Sequence, residues 1–218
     1  MLPDRRTWRV AAGVVAGVAI AAIALAIVIY VSASRDIAFG IFTGESSRAV
    51  VDDWYAGLLS DLGLAIWAFG AVGSLLAALL HLRRGRPGAG FFAAMGVITA
   101  WLAADDAFLW HEELIPDTVG VDEKVVFVVY GVVTVAAMVA GRSTIVRNLW
   151  WVLGTACVLL AGSIVAERVG FSLWTTDDVV SVFKFMGIVT WTAFLVEAAV
   201  HQGIGSATGS SVVQNMSG

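Results

Sequence analysis

Six stretches of almost unbroken apolar residues divide the chain, at residues 8–31, 54–82, 91–114, 125–141, 149–167 and 179–200. Each is close to the roughly 20 residues that carry an α-helix across a hydrocarbon layer about 30 Å thick. Breaker and polar clusters separate them: Arg83-Arg84-Gly85-Arg86-Pro87-Gly88, Pro116-Asp117, Gly141-Arg142-Ser143 and Thr175-Thr176-Asp177-Asp178. The last also reads as a helix start, because threonine and aspartate side chains accept from first-turn amides and negative charge suits that end of the dipole. The pattern predicts an all-α integral membrane protein, a single six-transmembrane-helix bundle over residues 1–202. A glycine- and serine-rich disordered tail is expected over 203–218.

Composition supports lipid as the solvent. Hydrophobic residues make up 59% of the 218 positions and charged ones 14%, against about 45–50% and 25% in a soluble domain. Six spans leave no room for a separate soluble domain. The first run, Val10 to Val31, follows Arg5, Arg6 and Arg9 and imitates a secretory signal. It exceeds the roughly 7–15 residues of a signal's apolar region, so an uncleaved first helix is expected.

Charge sets the orientation, since cytoplasmic loops carry the lysine and arginine excess. Arg5, Arg6 and Arg9 precede the first span; Arg83, Arg84 and Arg86 lie between the second and third; Arg142 and Arg147 lie between the fourth and fifth. Those eight of the 13 basic residues predict cytoplasmic N- and C-termini in a plasma membrane. Of the 17 acids, all but Asp4 and Glu197 then fall on the outer side. Trp54, Trp110 and Trp174 near outer ends, with Trp8, Trp150 and Trp151 near inner ones, match interfacial belts. Four-residue spacing of small residues, Gly13 with Gly17 and Gly96 with Ala100, permits close helix approach.

A net charge of −4 without a long basic run excludes a nucleic-acid partner. The lone cysteine, Cys157, excludes an intramolecular disulfide. No internal repeat supports an inverted-repeat transporter, and Gly57 to Gly63 is glycine spacing within a helix rather than a nucleotide loop. Six spans with one lysine, Lys184, on the last do not imply a retinal Schiff base.

The third span ends in the most informative segment, Asp105-Asp106-Ala107-Phe108-Leu109-Trp110-His111-Glu112-Glu113. On a straight helix at about 100° per residue, Asp105, Asp106, Glu112 and Glu113 form one acidic stripe and His111 projects away from it. Asp105 then lies about 10 Å deeper than Glu112, inside the hydrocarbon layer. Asp61 on the second span and Lys184 on the sixth reach a similar depth, about 9–10 Å below their outer ends. Charges there cost at least about 2.5–3.5 kcal/mol, so these groups should face protein or trapped water. The expected polar layer of Asp61, Asp105, Asp106 and Lys184 carries excess negative charge, which calls for a bound cation or a protonated carboxyl.

Zinc requires three or four converging ligands. His81 and His201 sit at cytoplasmic helix ends and are expected to be solvated, while His111 is outside and is the one histidine available to a metal beside the carboxylates. His-Glu-Glu is not the His-Glu-x-x-His of a metalloprotease. No resident cofactor is therefore predicted, and a divalent metal at His111 is kept as a hypothesis. Glu167 and Arg168 read as a solvated rim.

The Asp-Asp-x4-His-Glu-Glu segment, taken with Val182-Phe183-Lys184-Phe185-Met186-Gly187-Ile188-Val189-Thr190-Trp191, resembles a set of uncharacterised bacterial multi-span membrane proteins. The resemblance covers two spans and implies a six-helix or similar bundle without an assigned activity. The sequence departs from ceramidase-like membrane hydrolases, which hold zinc with several histidines on one side. Three readings follow: an outward-facing carboxylate and lysine site for cation- or proton-linked binding or transport of a small solute, a metal-dependent membrane hydrolase, or a structural or accessory subunit. The bilayer is the expected partner, a small solute or cation the expected ligand, and homo-oligomerisation is compatible with all three.

Overall fold

The computed structural model describes residues 5–35, 41–42, 57–169 and 176–204. These residues contain helices and connections and no strand. The Trp54 start of the second span, the Trp174 and Thr175 positions, and the tail beyond Ile204 lie outside them. The long helices are α1 (Arg5–Arg35), α2 (Leu58–Arg83), α3 (Ala89–Phe108), α5 (Glu123–Ala140), α7 (Trp150–Val169) and α8 (Thr176–Ile204). Between them lie short α4 (Ile115–Val119) and α6 (Arg142–Val146). Among the described residues, four helical segments are long and apolar enough to cross a membrane: α2, α3, α5 and Val180–Gln202 of α8.

Boundaries depart from the sequence reading where local chemistry intervenes. The third run was expected to be one helix over 91–114, but it stops at Phe108. Leu109 then takes a left-handed conformation (φ 54°, ψ 38°) and closes the helix by donating its N–H to the Asp105 carbonyl. A π turn, Trp110–Leu114, follows. Pro116 then sits in the first turn of α4, where its missing N–H costs nothing. α5 begins at an aspartate cap, with Asp122 Oδ1 accepting from the Lys124 N–H at 2.8 Å. At the other end of the chain α8 runs to Ile204, past the expected limit at 200.

Contacts divide the chain into two units. One comprises the described parts of Ala11–Trp67 and Trp151–Phe194. Its core joins Ala21 and Leu25 of α1, Leu59 of α2, and Phe185 and Val189 of α8, with Val18, Val28, Ile66, Val182 and Met186 at the edge. Spacings of three, four and seven on α1 and α8 place these residues on single helix faces. Gly187 lets α8 approach α7: a Cβ there would lie 2.7 Å from Leu160 Cγ and 3.2 Å from its backbone nitrogen. Asp61 is exposed in this unit and Lys184 is half-buried.

The other unit comprises the described parts of Met1–Val10, Ala68–Trp150 and Leu195–Gly218. Here α2 and α3 meet where Gly96 faces Leu75; a Cβ on the glycine would sit 2.8 Å from Leu75 Cγ. Ser74 beside it donates to the Phe92 carbonyl at 2.9 Å. Helix α5 packs along α3 and the π turn, with Val126 buried and Phe127 and Tyr130 half-buried. Its remaining valines, Val125, Val128, Val129, Val132, Val133, Val135 and Val139, are each at least 50% exposed. Contiguous exposed apolar residues of this kind suit lipid as the solvent.

Candidate functional site

The break after α3 assembles the site. Asp105 lies in the last turn of α3 and is 5% exposed. On a straight helix His111 would point away from it. The left-handed Leu109 and the π turn redirect the chain, and His111 Nδ1 comes to 2.7 Å from Asp105 Oδ2. A left-handed leucine costs roughly 1–2 kcal/mol and persists only where surrounding packing fixes it; Leu109 is 8% exposed. Strained residues and π turns concentrate at functional sites.

The second carboxylate oxygen is also engaged. Tyr130 Oη on α5 donates to Asp105 Oδ1 at 2.9 Å. One turn earlier, Phe127 lies against the histidine, with ring centroids 4.8 Å apart. The two α5 residues, three apart, thus hold both ends of the His111–Asp105 pair from one helix face. A carboxylate only accepts, so Nδ1 carries the hydrogen in this pair. With Asp105 ionised, that assignment leaves Nε2 as the lone-pair nitrogen of the neutral ring.

Aromatic rings wall the outer edge. Trp110 stacks on Phe108 at 5.9 Å with 20° between planes and meets Trp101 edge-on at 4.9 Å. Phe108, Trp110, Leu114, Asp117 and Thr118 line an open groove of about 540 Å³. Trp110 belongs to both the groove and the turn that carries His111.

The sequence-derived candidates are distributed as follows. Asp105 and His111 come together, and Asp106 lies half-buried beside them in the same unit. Glu112 and Glu113 are in the π turn, but their side chains lie outside the described residues. Asp61 and Lys184 belong to the other unit. Asp105 spends its two oxygens on His111 and Tyr130, partners the straight-helix projection could not reveal. For metal, no group of three or more histidine, cysteine or acidic residues converges among the described residues.

His81 requires a correction: it is not solvated but 4% exposed. The turn after α2 folds back, with Arg86 N–H donating to the His81 carbonyl at 2.8 Å and the Pro87 carbonyl facing His81 Nδ1 at 2.9 Å. Thr144 and Asn148, unremarked in the sequence, and Glu197, noted there only as an acid off the outer side, are buried in the same unit. An acid inside Leu195-Val196-Glu197-Ala198-Ala199-Val200 was the available signal.

A family model described as a domain of unknown function, DUF8692, matches residues 7–198. The chain belongs to the DUF8692 family. That span contains Asp105, His111 and Tyr130, so the assembled site lies within the DUF8692 domain. No curated protein and no solved structure matches the chain.

Proposed function

We propose that this DUF8692 protein is a six-span plasma-membrane protein with both termini in the cytoplasm. Its Asp105–His111–Tyr130 assembly binds a proton at the outer face and couples that charge to binding or transport of a small solute. The supporting observation is a buried carboxylate bonded through both oxygens, to an imidazole and a phenol, where the span breaks. The apolar helices α1 and α7 supply the two further spans, and the basic loops supply the orientation.

The chemistry follows from charge. With Asp105 ionised and His111 neutral, the assembly is an anion in a poorly solvating environment. Protonation at His111 Nε2 converts it to an internally neutral pair, with Asp105 stabilising the imidazolium. Tyr130 keeps its hydrogen bond throughout and holds the carboxylate in place. Proton uptake therefore changes the charge of the site by one unit. The adjoining groove has aromatic walls and the Asp117 carboxylate, surfaces that suit a solute with an apolar body and a cationic or donor group. The solute-linked reading is favoured over the hydrolase because Asp105 is bonded to His111 and Tyr130 and no group of three or more histidine, cysteine or acidic residues converges among the described residues.

Trp110 provides the readout, since an imidazolium nearby quenches indole emission. Titration of the purified protein is expected to show a reversible tryptophan-fluorescence transition that His111→Gln abolishes and Asp117→Asn leaves in place, with circular dichroism confirming that both variants fold. A transition that survives His111→Gln would remove the proton-binding role.

A further inference from the structure

The end of α3 opposite Asp105 has polar groups that the proposed function does not use. Gly88 caps α3 with φ 98°, a conformation glycine adopts without strain. Around it converge three side chains from different elements. A Cβ on Gly88 would lie 2.9 Å from Gln202 Oε1, 3.6 Å from His81 Nδ1 and 3.7 Å from Thr144 Oγ1. Asn148 sits one turn beyond Thr144 and donates through Nδ2 to the Thr144 carbonyl at 2.5 Å. Glu197, 4% exposed, accepts from the Leu149 N–H at 3.4 Å. These connections gather residues from α2, α6, its following turn, and α8 at one end of a single unit.

Hydrogen-bond accounting gives the His81 and Asn148 side chains their sign, while the buried Gln202 amide nitrogen is a donor. Pro87 O can only accept, so His81 Nδ1 bears the hydrogen and Nε2 of the neutral ring presents a lone pair. The Asn148 bond fixes its amide, so Oδ1 also presents a lone pair. Both atoms are buried and have no hydrogen-bond partner among the described residues. Unsatisfied buried acceptors are costly, and native proteins rarely leave them so. The Glu197 carboxylate, which accepts from the N–H of Leu149 next to Asn148, brings a further acceptor to this end of the unit.

We propose that this cluster is a binding site for a small N–H-bearing cation, either ammonium or the primary-amine end of a solute. The protein supplies an imidazole nitrogen, an amide oxygen and a carboxylate. An alkali ion prefers oxygen ligands alone, whereas an ammonium group donates separate N–H bonds to nitrogen and oxygen lone pairs and neutralises the carboxylate. His81, Asn148 and Glu197 would each receive one of them. The site does not depend on proton binding at Asp105, and the two stand or fall separately.

The test uses full-length protein carrying ¹⁵N-histidine, with the His81 signal assigned by its loss in His81→Gln. Ammonium chloride is expected to move the His81 Nε2 resonance saturably and raise the thermal unfolding midpoint, while equal sodium chloride does neither. Glu197→Gln is expected to weaken the apparent affinity at least about tenfold, the loss of one charge-assisted hydrogen bond. A stronger response to methylammonium or longer primary amines than to ammonium identifies the amine end of a solute; the reverse order identifies the free ion. The wild-type titration decides the matter even if Glu197→Gln fails to fold. A resonance that ignores both amines, held instead by water or by the Gln202 amide, or one that responds equally to sodium, overturns the proposal.

Discussion

Asp105→Leu is expected to lower the stability of the detergent-solubilised protein by about 3–5 kcal/mol, as expected when one member of a buried charged network is removed. The substitution strands two groups. His111 loses the acceptor for Nδ1 and Tyr130 loses the acceptor for its hydroxyl. The side chains of His111 and Asp105 are only 12% and 7% exposed, so water replaces little of what is lost. Replacing all three residues together, Asp105→Leu with His111→Phe and Tyr130→Phe, removes the polar groups rather than orphaning them, and most of the lost stability is expected to return. Equilibrium unfolding in mixed micelles measures both variants. An Asp105→Leu protein as stable as wild type would mean that the network contributes nothing to holding α3, the π turn and α5 together.

The orientation carries an all-or-none expectation. Asp117 on α4 and Ser143 on α6 are both exposed, and α5 alone of the long helices lies between them in the chain. If α5 spans the bilayer, cysteines at these positions face opposite sides. In a Cys157→Ala background, Asp117→Cys is expected to react with a membrane-impermeant maleimide on intact cells, and Ser143→Cys only after permeabilisation. Reaction of both from outside would rule out α5 as a span. Reaction of Ser143→Cys alone would invert the orientation and move Asp105 and His111 to the cytoplasmic face.

The apolar helices were legible because their signal is summed over some twenty residues, and no single contact alters it. Asp105 was legible too, since an acid at that distance inside an apolar run is costly unless something compensates. Its partners were not. The projection that sent His111 to another face assumed a continuous helix, and the chain breaks that assumption at Leu109, a residue type with almost no tendency to adopt a left-handed conformation. Tyr130 lies 25 residues away on α5, and its role depends on how α5 packs against α3. His81 reads as a solvated residue at a helix end because position favours it; the fold-back of Arg86 and Pro87 that buries it is a tertiary event.

The most direct test of proton binding at Asp105–His111 is the protonation state of the His111 ring, followed by ¹H–¹⁵N correlation spectra of histidine-labelled protein across the titration. Nδ1 is expected to remain protonated throughout, with its hydrogen held far downfield by Asp105, while Nε2 gains its proton on acidification and loses it on return. A ring whose Nδ1 is bare, or whose Nε2 never changes state, would contradict the account.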